Sequence, residues 1–434
     1  MTKLWNGLLA GAILMTGLAG VHGAALAEPV TLELWSELSA PPESTVLNKA
    51  VEMFNAANPD IVVKHTSFEN TAYETALRTA FAGGNPPDIA EVNAGSDAFQ
   101  YAQSGQLLDL TDFVKPIEAK LRPGLETMYT YGGKAYGVLW GLKVGNVLYY
   151  NPGMLKQQGI DPASLKTWDG FMAASQKFLD AGITPVAFGD RDQWTGNHYF
   201  THLLHGLLTK AEYDAIGLQT LDPSVKSTLK WTDEKPIRAW QLYKELADKK
   251  YFTPGYLSDN NDTAAGLFFA GKAPFYSTGS WGVGMAKAQG AEANVGLTLF
   301  PPAADSPDPS GVVTNSLLFT IPATTKDAEA AKKFLAFLAG EEVQKLYVEE
   351  NYDLSPYTYD SSGWKMDPLL QQISDLLHNA KSASPFLDMI EDQACLHDNV
   401  NEANVAILTG DLSPEEAGAL HQECVDGLLK KRGG

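Results

Sequence analysis

Residues 136–168, YGVLWGLKVGNVLYYNPGMLKQQGIDPASLKTW, decide how the rest of the chain is read. Positions 144–150 are rich in Val, Leu and Tyr and carry no charge, as a buried strand does. Asn151-Pro152-Gly153 stops that strand, because proline fixes φ and donates no hydrogen bond while glycine tolerates a turn. A new element therefore starts at Met154 and closes near Gly159. Pro162, then Thr167 as a helix cap, open a further helix over 168–179. Trp140 and Lys143 stand just before the strand, where a side chain projects from a sheet edge into a crevice.

Working outward, strands are expected at 30–35, 61–68 and 88–92, with helices at 41–58 and 73–82 between them. That alternation argues for a mainly parallel sheet with helices on both faces. In such sheets a ligand lies beyond the carboxyl ends of the strands, which selects 36–39 (Ser-Glu-Leu-Ser), 69–70 and 93–97 (Asn-Ala-Gly-Ser-Asp). Downstream, 181–189 reads as a strand running into a loop, 190–197, that holds Trp194. Helices are expected at 239–248 and at 263–271, the latter capped by Asp262 or Thr263. Residues 295–300 read as a strand, and 312–322 bring Asn315 and Ser316 close to one. Residues 328–348 are an amphipathic helical region, and the remainder reads as largely helical.

Three segments carry a family resemblance. YGVLW followed by YYN, a helix and KTWDGF; residues 81–114, FAGGNPPDIAEVNAGSDAFQYAQSGQLLDLTDFV; and residues 270–284, AGKAPFYSTGSWGVG, resemble extracellular solute-binding proteins of ABC importers. The resemblance is to the sugar-binding group that includes maltose-binding protein. It implies an α/β fold of two lobes, each a mainly parallel sheet flanked by helices, with the ligand in the cleft between them. Residues 136–168 would hold the first crossing between lobes and 295–300 the second. The first lobe is then expected to be 28–142 plus 298–326, and the second 143–297 plus 327–434. The same resemblance places Asn93, Ser96 and Asp97 at ligand-contacting positions and makes 279–281 a Gly-Ser-Trp loop delivered to the ligand.

Length and composition agree with two globular domains: 434 residues, 44% hydrophobic and 19% charged. Lys3, an apolar run over 8–21 and Ala25-Leu26-Ala27 form a signal peptide over 1–27, with cleavage expected before Glu28 and release into a periplasm. Removing that segment takes the net charge from −20 to about −21, which argues against nucleic acid and anionic membrane surfaces. Cys395 and Cys424 are the only cysteines. In an oxidising compartment two such residues on neighbouring helices form a disulfide, the alternative being buried free thiols.

Indoles are the main chemical clue to the site. A pyranose presents a C–H face that packs flat on an indole, and its hydroxyls need in-plane polar partners. Trp140, Trp194 and Trp281 are the candidate platforms, each against ordinary packing, whereas Trp231 and Trp35 read as structural. Glu37, Ser39, Asn93, Ser96, Asp97, Asn197 and Asn315 are the polar candidates, weighed against helix capping, the alternative felt most at Ser96 and Asp97. Lys143 could bind hydroxyls or an acidic group.

Other chemistries are weaker. His198, His202 and His205 would share one helix face but lack the adjacent Glu of a zinc protease and sit among leucines. The glycines of 279–284 lack a phosphate-loop Lys, and 259–262 (DNND) lack the Gly and Glu of a calcium loop. No cofactor or metal is expected. The expected function is a monomeric, non-enzymatic receptor that closes on a carbohydrate and presents it to permease subunits in the membrane. An exported glycosidase or lyase is the alternative, with Glu37 and Asp97 as its nominal carboxylate pair.

Overall fold

Apolar residues alternate in the strand Val30–Ser36, burying Leu32 and Leu34. In the helix Glu43–Ala57 they recur at helical spacing and bury Val46, Leu47, Ala50, Val51 and Phe54 along one face. In the computed structural model, which describes residues 28–222 and 224–433, these elements build two helix-flanked sheets, one in each lobe. The expected signal peptide, residues 1–27, lies outside the described residues. The first sheet runs in the order Ile61–Ser67, Val30–Ser36, Ile89–Asn93, Leu317–Thr320, Gly137–Leu139. The second runs Gly296–Leu299, Val147–Tyr150, Phe275–Thr278, Val186–Ala187.

Both sheets are mixed. Val30–Ser36 is parallel to Ile61–Ser67 and to Ile89–Asn93, the pairs joined by intervening helices. Leu317–Thr320 is antiparallel to both its neighbours, because the chain reaches it from the other lobe. In the second sheet only Phe275–Thr278 and Val186–Ala187 are parallel. Alternation along the sequence therefore predicts the pairing of local β-α-β units and not that of strands returning from a distance.

Between the lobes a small third sheet, ordered Ala383–Pro385, Val312–Asn315, Lys143–Val144, carries the crossings. The strand expected at 144–150 is broken here at Gly145-Asn146. Asn146 explains the break: its Nδ2 donates to the Gly311 carbonyl at 3.0 Å and its Oδ1 accepts from the Val313 amide at 2.9 Å. One side chain thus joins the first crossing to the second.

Two expected lobe boundaries move. Gly296–Leu299 lies wholly in the second sheet, so the return to the first lobe begins after it rather than at 298. The segment from 327, expected in the second lobe, first packs on the first. Phe334 and Phe337 of the helix Ala328–Leu338 meet Phe54 at 5.0 and 5.5 Å between ring centres, and Tyr347 meets Trp140 at 5.0 Å. Only later does the chain rejoin the second lobe, where Pro368–Asn379 packs on Gly296–Leu299 and Pro414–Gly433 on Glu234–Asp248. An amphipathic pattern fixes that a helix buries one face, but not the sheet it covers. Cys395 and Cys424 are bonded, with 5.7 Å between their Cα atoms.

Candidate functional site

The strand ends of the two lobes face each other across a cavity of about 760 Å³, within the range of small-molecule sites. From the first lobe and the crossings come Glu37, Asn93, Asp97, Lys143 and Asn315. Trp194, Asn197 and Trp281 face them from the second lobe. Glu37 follows the strand Val30–Ser36, Asn93 ends Ile89–Asn93, and Asp97 lies in the first turn of Ser96–Gln103. These are the carboxyl ends that an open α/β sheet leaves free for a ligand.

Three candidates are not part of the lining. Trp140 is 1% exposed and lies edge-on to Phe319 and Tyr347 in the first lobe's core, because its strand's neighbours turn it toward the helices and away from the cleft. Ser96 is 2% exposed and spends its hydroxyl on the Asp388 carbonyl oxygen, a contact between protein segments. Ser39 points to solvent outside the cavity. Trp231 is fully buried against Phe200, Trp240 and His421, as its structural reading requires.

Trp194, expected in a loop, instead opens the helix Trp194–Leu207, entered through Gln193 in the left-handed region at φ 63°. Its ring lies 6.2 Å from that of Trp281 and 4.9 Å from that of His198. These three rings form an aromatic wall on the second lobe. His198 is stacked on Phe386 at 3.8 Å, with Nε2 3.6 Å from the Asp388 carboxylate. His202, on the same helix face, is buried, and burial drives its pKa well below the usual imidazole value. Among the described residues no group of His, Cys, Asp and Glu is arranged to hold a metal.

Opposite this wall the site is acidic. Lys143 Nζ meets Glu43 Oε1 at 2.5 Å and lies 5.4 Å from the centre of the Trp281 ring. Burial disfavours its charge, but Glu43 and Asp353 outweigh that, and its pKa stays above the usual value. Glu37 accepts from Asn70 Nδ2 at 2.7 Å. Burial, then Glu91 and Glu74, push the Glu37 carboxyl well up. The Asp97 carboxyl is raised to about 7 by burial, Glu74 and Asp388.

Behind Glu37 lies Glu91, fully buried, whose Oε2 accepts the Glu37 amide at 3.1 Å while Oε1 has no partner. Burial raises its carboxyl from 4.5 to about 8. The folded state thus holds this proton more tightly than the unfolded chain does. The associated stability is complete below pH 4.5 and is lost as pH rises toward about 8. Glu91→Gln is expected to flatten that decline and to stabilise the protein at pH 8 by about 1–3 kcal/mol, with little effect near pH 5. Calorimetric melting at the two pH values checks it, and an unchanged pH slope would count against a buried neutral carboxyl.

The sequence reading missed the third wall. Asp388, Gln393, Leu396, His397 and Asn401 line the cavity from a segment that packs on the second lobe's helices and reaches across to the first. Gln393 Nε2 donates to Ser96 Oγ and, at 2.7 Å, to the Asp388 carbonyl, and Asn401 Oδ1 accepts from Asn197 at 2.9 Å. The available signal was Cys395, which anchors a turn bearing Gln, His and Asn. Gly95 permits the close approach: its φ is +84°, and a Cβ there would lie 2.3 Å from the Met389 carbonyl oxygen. Gly95→Ala is expected to force this segment away and to weaken ligand binding about tenfold or more. Unchanged affinity, together with an unchanged radius of gyration in solution scattering, would remove the contact's importance.

A two-lobed α/β molecule with a hinge sheet and a polar, aromatic-walled cavity between its lobes is built as a solute receptor. The chain belongs to the family of bacterial extracellular solute-binding proteins, which it matches over residues 49–372. It is 25% identical over 417 residues to an uncharacterised ABC transporter extracellular-binding protein of Pyrococcus horikoshii, covering 90% of each chain. It is 26% identical over 265 residues to the diacetylchitobiose binding protein DasA of Streptomyces coelicolor, covering 60% of this chain and 58% of that one. Among solved structures it superimposes on a chitin oligosaccharide binding protein with a TM-score of 0.82 at 25% identity, covering 93% of this chain and 99% of the other. Maltose-bound MalE3 of T. maritima gives 0.77 at 20% identity, with 92% and 100% covered, a likeness of fold. The first three of these are named as binding proteins. Among the described residues no helix is long and apolar enough to cross a membrane.

Proposed function

We propose that this chain is the periplasmic substrate-binding component of an ABC importer for a sugar or sugar derivative. The observation that carries the reading is the meeting, across one cavity, of the Trp194, His198 and Trp281 rings with Glu37, Asn93, Asp97 and Asn315. A sugar ring laid on the indoles would bury its C–H face and turn its hydroxyls to those acceptors and amides. Ligand then favours approach of the lobes, because it contacts both at once only when they are together. The lobe surfaces so presented are the ones a membrane permease would engage, and the receptor acts as a monomer after removal of residues 1–27. The names of the relatives, diacetylchitobiose and chitin oligosaccharide binding proteins, support a carbohydrate. The test is a thermal-shift and tryptophan-fluorescence screen against mono-, di- and oligosaccharides, followed by chromatography of the incubated sugars. A melting point raised by a sugar recovered intact is expected, since a tight ligand stabilises only the folded state. Hydrolysed sugar, or no shift with any sugar, would end this reading.

A further inference from the structure

The cavity is acidic beyond its own needs. Among its described lining residues are seven carboxylates and only two side chains of fixed positive charge, Lys143 and Arg191. Both cations are already used: Lys143 on Glu43, and Arg191 on Asp192 at 3.0 Å. Asp388 has His198 at 3.6 Å. Four remain: Asp262 faces Asp192 and Arg191, while Glu37, Glu74 and Asp97 stand together, with Arg78 at 3.9 Å from Glu74 and Lys143 acting on Glu37 from its place on Glu43. These three carboxylates also line a side recess of about 60 Å³ that shares Asn93 and His397 with the main cavity.

A second, independent feature points to a donor-rich ligand. Asn351 is 2% exposed and lines the cavity, yet its Oδ1 accepts no hydrogen bond, and Asn315 Oδ1 is likewise without a donor. Buried acceptors left empty cost free energy, so the ligand is expected to bring the hydrogens. Building on the sugar reading, we infer that the ligand is an amino sugar carrying a free ammonium group, held where Glu37, Glu74 and Asp97 converge.

An ammonium there would also move protons. Asp97 faces Glu74 and Arg78 of the helix Asn70–Ala82, Asp388 of the crossing segment, Tyr101 of its own helix and His397 across the recess. Its carboxyl is held near 7 by burial and by its acidic neighbours, so a bound cation would draw it down and release a proton.

The experiment is isothermal titration of the full mature chain with the glucosamine disaccharide and its N,N′-diacetyl counterpart, near neutral pH in two buffers of different ionisation heat. The free amine is expected to bind about tenfold or more tightly, with proton release, since charge-assisted hydrogen bonds are about twice as strong as neutral ones. Glu37→Gln with Asp97→Asn should remove that preference, so that the free amine and its acetylated counterpart bind alike and proton release is lost, and should keep a cooperative melt. Equal or tighter binding of the acetylated sugar, or of a neutral hexose disaccharide, overturns the cationic ligand and leaves the sugar reading standing. Binding of no sugar at all, charged or neutral, overturns both.

Discussion

Trp281→Ala is expected to weaken sugar binding about 30- to 100-fold, roughly 2–3 kcal/mol, while lowering thermal stability little. The ring is half-buried, so its removal opens the cavity wall and not the core. It is also held ready before ligand arrives: a Cβ at Gly279 would lie 1.8 Å from the indole, so only glycine lets the backbone pass beneath the ring. Lys143 fixes its other surroundings at 5.4 Å. A preset platform loses little side-chain entropy on binding, which is why one aromatic can dominate a site. Trp194→Ala should cost somewhat less, because His198, 4.9 Å away, keeps part of the surface. Titration by calorimetry, which does not depend on tryptophan emission, checks both. Affinity within twofold of the parent for Trp281→Ala would show that the wall is not the sugar platform.

Loss of the Cys395–Cys424 bond is expected to destabilise the chain by about 3–4 kcal/mol, from the entropy regained by an unfolded chain no longer closed across 29 residues. The effect should reach the cavity as well. Leu396 and His397 follow Cys395 directly and line the site, and the helix Pro414–Gly433 that holds Cys424 is the anchor for their turn. Urea melts with and without reductant, repeated on Cys395→Ser with Cys424→Ser, measure the first effect. Ligand affinity of the reduced protein under folding conditions measures the second. A midpoint unmoved by reductant would mean that the helices hold the turn unaided.

Much of the site could be read because it obeys a local rule. Glu37, Asn93 and Asp97 sit at the carboxyl ends of strands whose alternation is plain in the sequence, and Trp281 follows a short apolar strand closed by glycine. Trp140, expected to project from a sheet edge just before a strand, turns into the core instead, because its direction is set by pairing with Leu317–Thr320, a strand almost 180 residues away. Ser96 failed for a different reason: its polar demand is met by Asp388, from a segment with no periodic signal of its own.

The sequence by itself determined the class of protein, the crossing at 136–168, most strand-end loops and the cysteine pair. The class and the crossing are what the resemblance of three segments implied, and the strand-end loops follow from period and turn chemistry, which act over a few residues. Tertiary structure alone decided that the helices from 328 cover the first lobe, that the strand at 144–150 breaks for Asn146, and that a disulfide-anchored segment closes the cavity's third side. Each of those rests on contacts between residues far apart in the chain, and burial energy is indifferent to sequence separation.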